Sequence, residues 1–270
     1  MSFVNRFRSE HFSVRHMVVS FISQKLFGSY TYTVRHGLAA GMRRKGGLGF
    51  LPFESGETAE TRFLRGLHLE GKVVYDIGAF EGVLTLFFAR QARQVITYEP
   101  NPRNYAKCSE NIRLNRLENV RLLNRGVSDA AGSIELIYDP LMPGAGSAEP
   151  AIAGQIGSSV KSARRLSIPV LPLDQDITEN ALPPPDFIKI DIEGMELPAL
   201  QGMRGTLMSR HPVLYIEMHG ATADEKTLNS HAVVKFLDEC GYHIHDVEHG
   251  DDLTPETLGN RCPSHLYCTS

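Results

Sequence analysis

Apolar residues gather in short β-branched runs, and between those runs stand stretches with helical spacing. Residues 73–77, Val-Val-Tyr-Asp-Ile, predict a buried strand. Gly78 and Gly82 then punctuate the chain, and from residue 83 the apolar spacing turns helical. Residues 94–98 repeat the strand pattern and end at Glu99. Pro100 and Pro102 forbid further strand and start a helix over 102–116. A third strand is predicted over 120–127, closed by Ser128-Asp129. The order βαβαβ implies a parallel sheet wound through right-handed crossovers.

Beyond that point the rhythm breaks. Residues 133–138 and 167–173 pattern as strands with no helix between them. Residues 139–165 are rich in Gly, Ala, Ser and Pro, and predict an insertion over the site that acts as a lid or as a tolerated surface loop. Three prolines, 183–185, stop the chain before a core strand over 187–192 that carries Lys189 and Asp191 on one face. A helix over 196–209, a strand over 213–218, a helix over 231–240 and strands over 242–247 and 265–269 follow. The last pair follows a single helix and is expected to be antiparallel. The fold class predicted is α/β, a Rossmann-like, mostly parallel seven-stranded sheet with helices on both faces.

The N-terminal part reads differently. Val14, Met17, Val18, Phe21, Ile22 and Leu26 form a helical stripe, and five glycines between 37 and 49 then break the chain. Residues 1–50 are expected to be a helical, basic arm or cap, and residues 51–270 the main domain. A helix over 57–69, capped by Thr58 or Ser55, leads into the first strand. Charge sharpens this division. Residues 1–50 hold eight Lys and Arg against one acid, Glu10. Subtracting from totals of 28 and 31 leaves 20 basic and 30 acidic residues in 51–270. The basic residues are scattered, so packing of the arm on the acidic body is the expected use, ahead of an anionic partner. No nucleic-acid partner is expected, and a homo-oligomer is compatible with the sequence. The four cysteines show no metal or disulfide spacing. No run reaches the roughly 18 apolar residues of a membrane span, so a cytoplasmic location is expected.

The glycine turn after the first strand presents backbone N–H groups and a helix N-terminus to a ligand. An ordinary βα turn would use the same two glycines. A dinucleotide fold wants G-x-G-x-x-G, whereas this chain has Asp76-x-Gly78-x-x-x-Gly82 and no third glycine. Glu99, at the tip of the second strand, can accept two hydrogen bonds from ribose hydroxyls. Ligands of open α/β sheets lie outside the carboxyl ends of the strands, where Lys189, Asp191, Glu193, Glu217 and His219 also converge. Ionisable groups are costly at the ends of core strands, which favours a functional use.

Three motifs in order, Val-Val-Tyr-Asp-Ile-Gly-Ala-Phe-Glu-Gly, Tyr-Glu-Pro-Asn-Pro and Asp-Phe-Ile-Lys-Ile-Asp-Ile-Glu-Gly-Met-Glu, resemble the FkbM-type methyltransferase family over about residues 57–220. The resemblance implies the class I methyltransferase fold and O-methylation by S-adenosylmethionine (SAM), often of a sugar or natural-product hydroxyl. It places Gly78, Ala79 and Gly82 at the methionine end of SAM and Glu99 at the ribose. Asn101, Val127 and Ser128 fall near the adenine. Asp76, Phe80, Glu81, Pro100 and Asp191 belong to the same cofactor motifs, with Phe80 standing where the family commonly has Asn. An alcohol needs a base to become a nucleophile. His219 is the candidate, Asp191 and Glu193 the alternatives, and Lys189 completes the catalytic set. Asp191, Glu193 and Glu217 are candidate ligands of a divalent metal that would instead lower the hydroxyl pKa. A nicotinamide-dependent oxidoreductase and a non-catalytic SAM-fold interaction protein are the competing functions.

Overall fold

The computed structural model describes residues 29–46, 58–139, 142–148, 152–154, 157 and 163–270. The helical stripe expected over 14–27 and Glu57 lie outside the described residues. Within them, residues expected to be helix and link instead form a hairpin, β1 (Thr31–Thr33) paired antiparallel with β2 (Arg43–Lys45). This hairpin, the described part of the basic arm, lies against acidic residues of the main domain. Arg44 reaches Glu81 at 2.6 Å, and Lys45 lies 3.6 Å from Glu110. The backbone N–H groups of Arg43 and Lys45 donate to Asn115 and Asn111.

The main sheet has eight strands. Helix α1 (Ala59–Arg65), capped by Thr58, leads into β3 (Val73–Ile77), which is buried along its whole length. Glycine 82 starts α2 (Val83–Ala89), and β4 (Gln94–Tyr98), α3 (Pro102–Leu114) and β5 (Val120–Leu123) follow. Asn101 caps α3 by accepting from the Arg103 N–H, with Pro102 in the first turn. On the other side of β3 lie β10 (Phe187–Ile190) and β11 (Val213–Glu217), both parallel to it. Three antiparallel strands complete that edge: β14 (His265–Thr269), β12 (His243–Asp246) and β13 (Asp251–Leu253). The expected antiparallel final pair is therefore present, and β13 is an eighth strand beyond the seven expected. The two faces of β3 build separate cores: Val73, Tyr75 and Ile77 join one cluster, and Val74 joins the other with Phe88, Val95 and Phe187.

The stretch expected to be the third strand splits. Only Val120–Leu123 joins the main sheet, while β6 (Gly126–Val127) enters a second, four-stranded sheet. Its other strands are β7 (Gly132–Asp139), β8 (Met142–Ser147) and β9 (Arg164–Leu171), in the order β6-β9-β7-β8. Part of the expected loop is thus strand, because β8 folds back on β7 as a hairpin. Helix α4 (Leu173–Glu179) begins at the last residue of the strand expected over 167–173 and covers residues for which no element was expected. The helix expected over 196–209 is two, α5 (Glu196–Gln201) and α6 (Arg204–Arg210). They break at Gly202, where a Cβ would lie 1.9 Å from the Ser128 carbonyl oxygen. Helix α7 (Ala223–Glu239) starts earlier than predicted, under a Thr222–Glu225 capping box.

Strand order reverses between β3 and β10: the chain leaves β3 towards β4, and β10 lies on the opposite side. Such a switch point opens a crevice at the carboxyl ends of the strands.

Candidate active site

The tips of β3 and β10 are tied together by backbone contact. Gly78 adopts φ +82°, and a Cβ there would lie 1.8 Å from the Asp191 carbonyl oxygen. Gly82 adopts φ +83°, and its Cβ would lie 2.6 Å from Cys108 Sγ. Both glycines thus serve contact of chain with chain, and Gly78 also faces the crevice above the strand tips. Lys189 Nζ donates to the Gly78 carbonyl at 2.9 Å and lies 3.2 Å from Asp191 and 3.5 Å from Asp76. Burial works against its charge, but Asp191 and Asp76 win and raise its pKa. Lys189 is therefore a buried cation that positions both strand tips, and it does not line the crevice. Asp76 is also enclosed and accepts from Thr85 Oγ1 at 2.5 Å.

The crevice above these tips has a volume of about 230 Å³. Gly78, Phe80, Glu99, Pro100, Asn101, Val127, Asp191 and Glu193 line it. The second sheet supplies an apolar wall of Ile134, Leu136, Ile168 and Val170, which the sequence did not reveal. Ala79, Glu81, Gly82 and Ser128 are placed elsewhere. Glu81 is buried against Arg44 and Lys107, so the acid of the first motif anchors the N-terminal hairpin. Ser128 is buried beside Asp129, to which its hydroxyl donates.

Glu99 is fixed by two backbone donors: the Phe80 N–H at 2.7 Å and the Asn101 N–H at 2.8 Å. Phe80 reaches it from an uncommon φ of +54°. Burial pushes the Glu99 carboxyl up to about 7, against these hydrogen bonds. Asn104, one turn into α3, was missed by sequence reasoning. It also lines the crevice, and its buried Oδ1 has no hydrogen-bond partner in the protein. An orphan acceptor lining a crevice, beside a carboxylate with a lone pair still free, suits a ligand rich in hydroxyl and amino donors.

On the far side of the tips stands His219. Its Nδ1 lies 2.9 Å from Oε1 of Glu196, a residue absent from the sequence-based candidate set. Glu196 is fully buried, and also accepts from the Gly194 N–H and from Asn229. His219 Nε2 faces three more carboxylates: Glu217 at 3.5 Å, Asp191 at 3.7 Å and Glu193 at 3.8 Å. Burial disfavours the imidazolium, but Glu193, Glu196 and Glu217 outweigh it and raise the His219 pKa well above its ordinary value. Burial pushes the Glu193 carboxyl up to about 7, despite the pull of His219. Glu217 is held down to about 2, burial being overcome by its interaction with His219. Glu193 reaches the crevice from a left-handed turn at φ +53°, pinned by Ser147 Oγ donating to its carbonyl at 2.5 Å. His219 does not line the crevice.

Residues 76–244 match the model of the methyltransferase FkbM domain family. The chain is 29% identical over 171 residues to the hexuronic acid methyltransferase AglP of Haloferax volcanii, covering 63% of each protein. It is 29% identical over 154 residues to the methyltransferase sdnD of Sordaria araneosa, covering 48% of this chain and 60% of that one. The chain thus spans less than two thirds of the length of either relative. Among solved structures, methyltransferase FkbM from Methylobacillus flagellatus KT aligns with a TM-score of 0.47 at 18% identity, over 76% of this chain and 45% of that one. No helix among the described residues is long and apolar enough to cross a membrane.

Proposed function

The chain belongs to the FkbM methyltransferase family, and we propose that it uses SAM to methylate an alcohol oxygen lying above the tips of β10 and β11. The observation that carries this reading is the division of the crevice. Of its lining residues, Glu99, Asn101 and Asn104 follow β4, and Asp191 and Glu193 follow β10, with β3 between the two strands. The first group, with the apolar wall, suits a nucleoside. The second suits removal of a proton.

When bound, SAM supplies a methyl already activated on a sulfonium. The chain's own task is alignment of the acceptor and capture of its proton. Glu193 takes that proton. It lines the crevice, and its raised pKa lies near the working pH, where a general base is most effective. His219, held protonated by its carboxylates, restrains their negative charge in the protein alone. Lys189 keeps Asp191 and the glycine turn in place. A saccharide is the acceptor class favoured here, by the name of the Haloferax relative.

Titration calorimetry tests the cofactor half. SAM should bind with a one-to-one stoichiometry, and NADH should not bind. NADH binding without SAM binding would replace this function with the oxidoreductase reading. Glu99→Gln should weaken SAM about 10- to 100-fold, the worth of hydrogen bonds to a charged group. Unaltered affinity in a variant with wild-type melting behaviour would remove Glu99 from the ribose. Transfer of labelled methyl to a hydroxylated acceptor tests the catalytic half, and SAM binding with no transfer to any acceptor would favour the interaction-protein reading.

A further inference from the structure

We propose that Asp191, Glu217 and His219 together hold a divalent cation of the Mn²⁺ or Zn²⁺ kind, which grips two neighbouring oxygens of the acceptor. Each residue offers one ligand atom, and these atoms lie within 4.8 Å of one another. The donor set is mixed, one imidazole nitrogen and two carboxylates, which suits these ions better than Ca²⁺.

The spacing points the same way. His219 Nε2 lies 3.5 Å from Glu217 and 3.7 Å from Asp191. An ordinary N–H···O bond spans about 2.7–3.2 Å. Two donors each about 2.1 Å from one ion lie about 3.0–3.6 Å apart, for angles between right and trigonal. The Glu217 distance falls within that span and the Asp191 distance just beyond it, and both exceed an ordinary hydrogen bond.

Glu196 is a separate observation. It is fully buried and takes Nδ1 at 2.9 Å, so the other ring nitrogen is directed at Asp191 and Glu217. A carboxylate behind a histidine is the usual support of a metal-bound imidazole, fixing its tautomer and orientation. Charge balance agrees. Four carboxylates, Asp191, Glu193, Glu196 and Glu217, surround His219. Two cations reach this group, Lys189 at 3.2 Å from Asp191 and His265 at 3.8 Å from Glu217, and each is shared with a further acid, Asp76 and Glu248. A divalent ion supplies the missing positive charge.

Three protein ligands leave coordination positions open. An acceptor with adjacent oxygens, a vicinal diol or a hydroxy-carboxylate, fills them, and the ion lowers the pKa of the bound hydroxyl beside Glu193. That role rests on the methyl-transfer reading, but the binding does not.

The test is calorimetry of the chelator-stripped full chain with Mn²⁺ and with Zn²⁺, alongside the Mn²⁺ electron paramagnetic resonance signal. One saturable equivalent is expected. Glu217→Gln, nearly isosteric, and His219→Ala should each weaken it at least tenfold. Glu196→Gln should weaken it about 10- to 100-fold. Glu193→Gln should leave it in place. Absence of saturable binding by the wild-type chain, or binding that Glu217→Gln leaves unchanged, overturns the proposal. SAM affinity is measured on the same samples. Methyl transfer by a chain shown to be free of metal would sink the ion's role and leave the proposed function standing. Ion binding without SAM binding would do the reverse.

Discussion

Gly78→Ala is expected to destabilise the chain by about 3–5 kcal/mol and to abolish SAM binding. Two costs add. A side chain at positive φ costs about 1–2 kcal/mol, and Gly78 sits at +82°. Overpacking costs about 1–3 kcal/mol in ordinary cores, and this case is worse than ordinary. The new Cβ would lie 1.8 Å from the Asp191 carbonyl oxygen, 2.9 Å from its carbon and 3.0 Å from Ile192 Cγ2. None of the first two atoms is the end of a flexible side chain, so one strand tip must move from the other. That movement pulls on the Asp191 N–H bond to the Ile77 carbonyl, 3.1 Å, and on all three Lys189 contacts. Denaturant midpoints measure the first effect and calorimetry the second. Gly132→Ala is the control, because its Cβ would meet nothing within 4 Å. A Gly78→Ala midpoint as close to wild type as that of Gly132→Ala would refute the tied-tips account.

Strands β3, β4, β10 and β11 were legible because each is a short, β-branched, fully or mostly buried run. The split of residues 120–127 was not, since alternation does not say which sheet a residue joins. At the split, the Asn124 side-chain amide donates to the Glu99 and Pro100 carbonyls, where the chain passes from the main sheet to the second. Helix α4 was missed because seven residues carry barely two turns of pattern. The first half of α7 was missed because its apolar Leu228 is exposed, although the Thr222–Glu225 capping signal was present.

The site divides along the same line. Convergence of Lys189, Asp191, Glu193, Glu217 and His219 followed from their places at strand tips. Their roles did not, because a role depends on what else is near. Glu196 opens a helix, where an acid looks solvated, yet it is fully buried against His219. That contact, with three further carboxylates, makes the histidine a cation or a ligand, and moves the base to Glu193. Glu81 shows the opposite error: a motif position that faced the cofactor by resemblance is taken by Arg44 and Lys107.

Glu193→Gln is expected to lower kcat about 10²- to 10⁴-fold, the usual worth of a general base, while SAM affinity and melting temperature stay near wild type. The side chain is a third exposed, and its loop is held by the backbone bond from Ser147, which the amide keeps. The pH profile gives the second readout. A base must be ionised, so without added cation wild-type kcat should rise through about pH 7, where burial has placed Glu193. One pH unit below that midpoint roughly a tenth of the sites are ionised, and rate falls in proportion. The limb should vanish in Glu193→Gln. In His219→Gln it should move to higher pH, because the positive neighbour that pulls the Glu193 pKa down is gone. Bound Mn²⁺ should move it to lower pH, since added positive charge favours the carboxylate. A Glu193→Gln enzyme that keeps activity within about threefold would pass the proton to Asp191, the other carboxylate that follows β10 and lines the crevice.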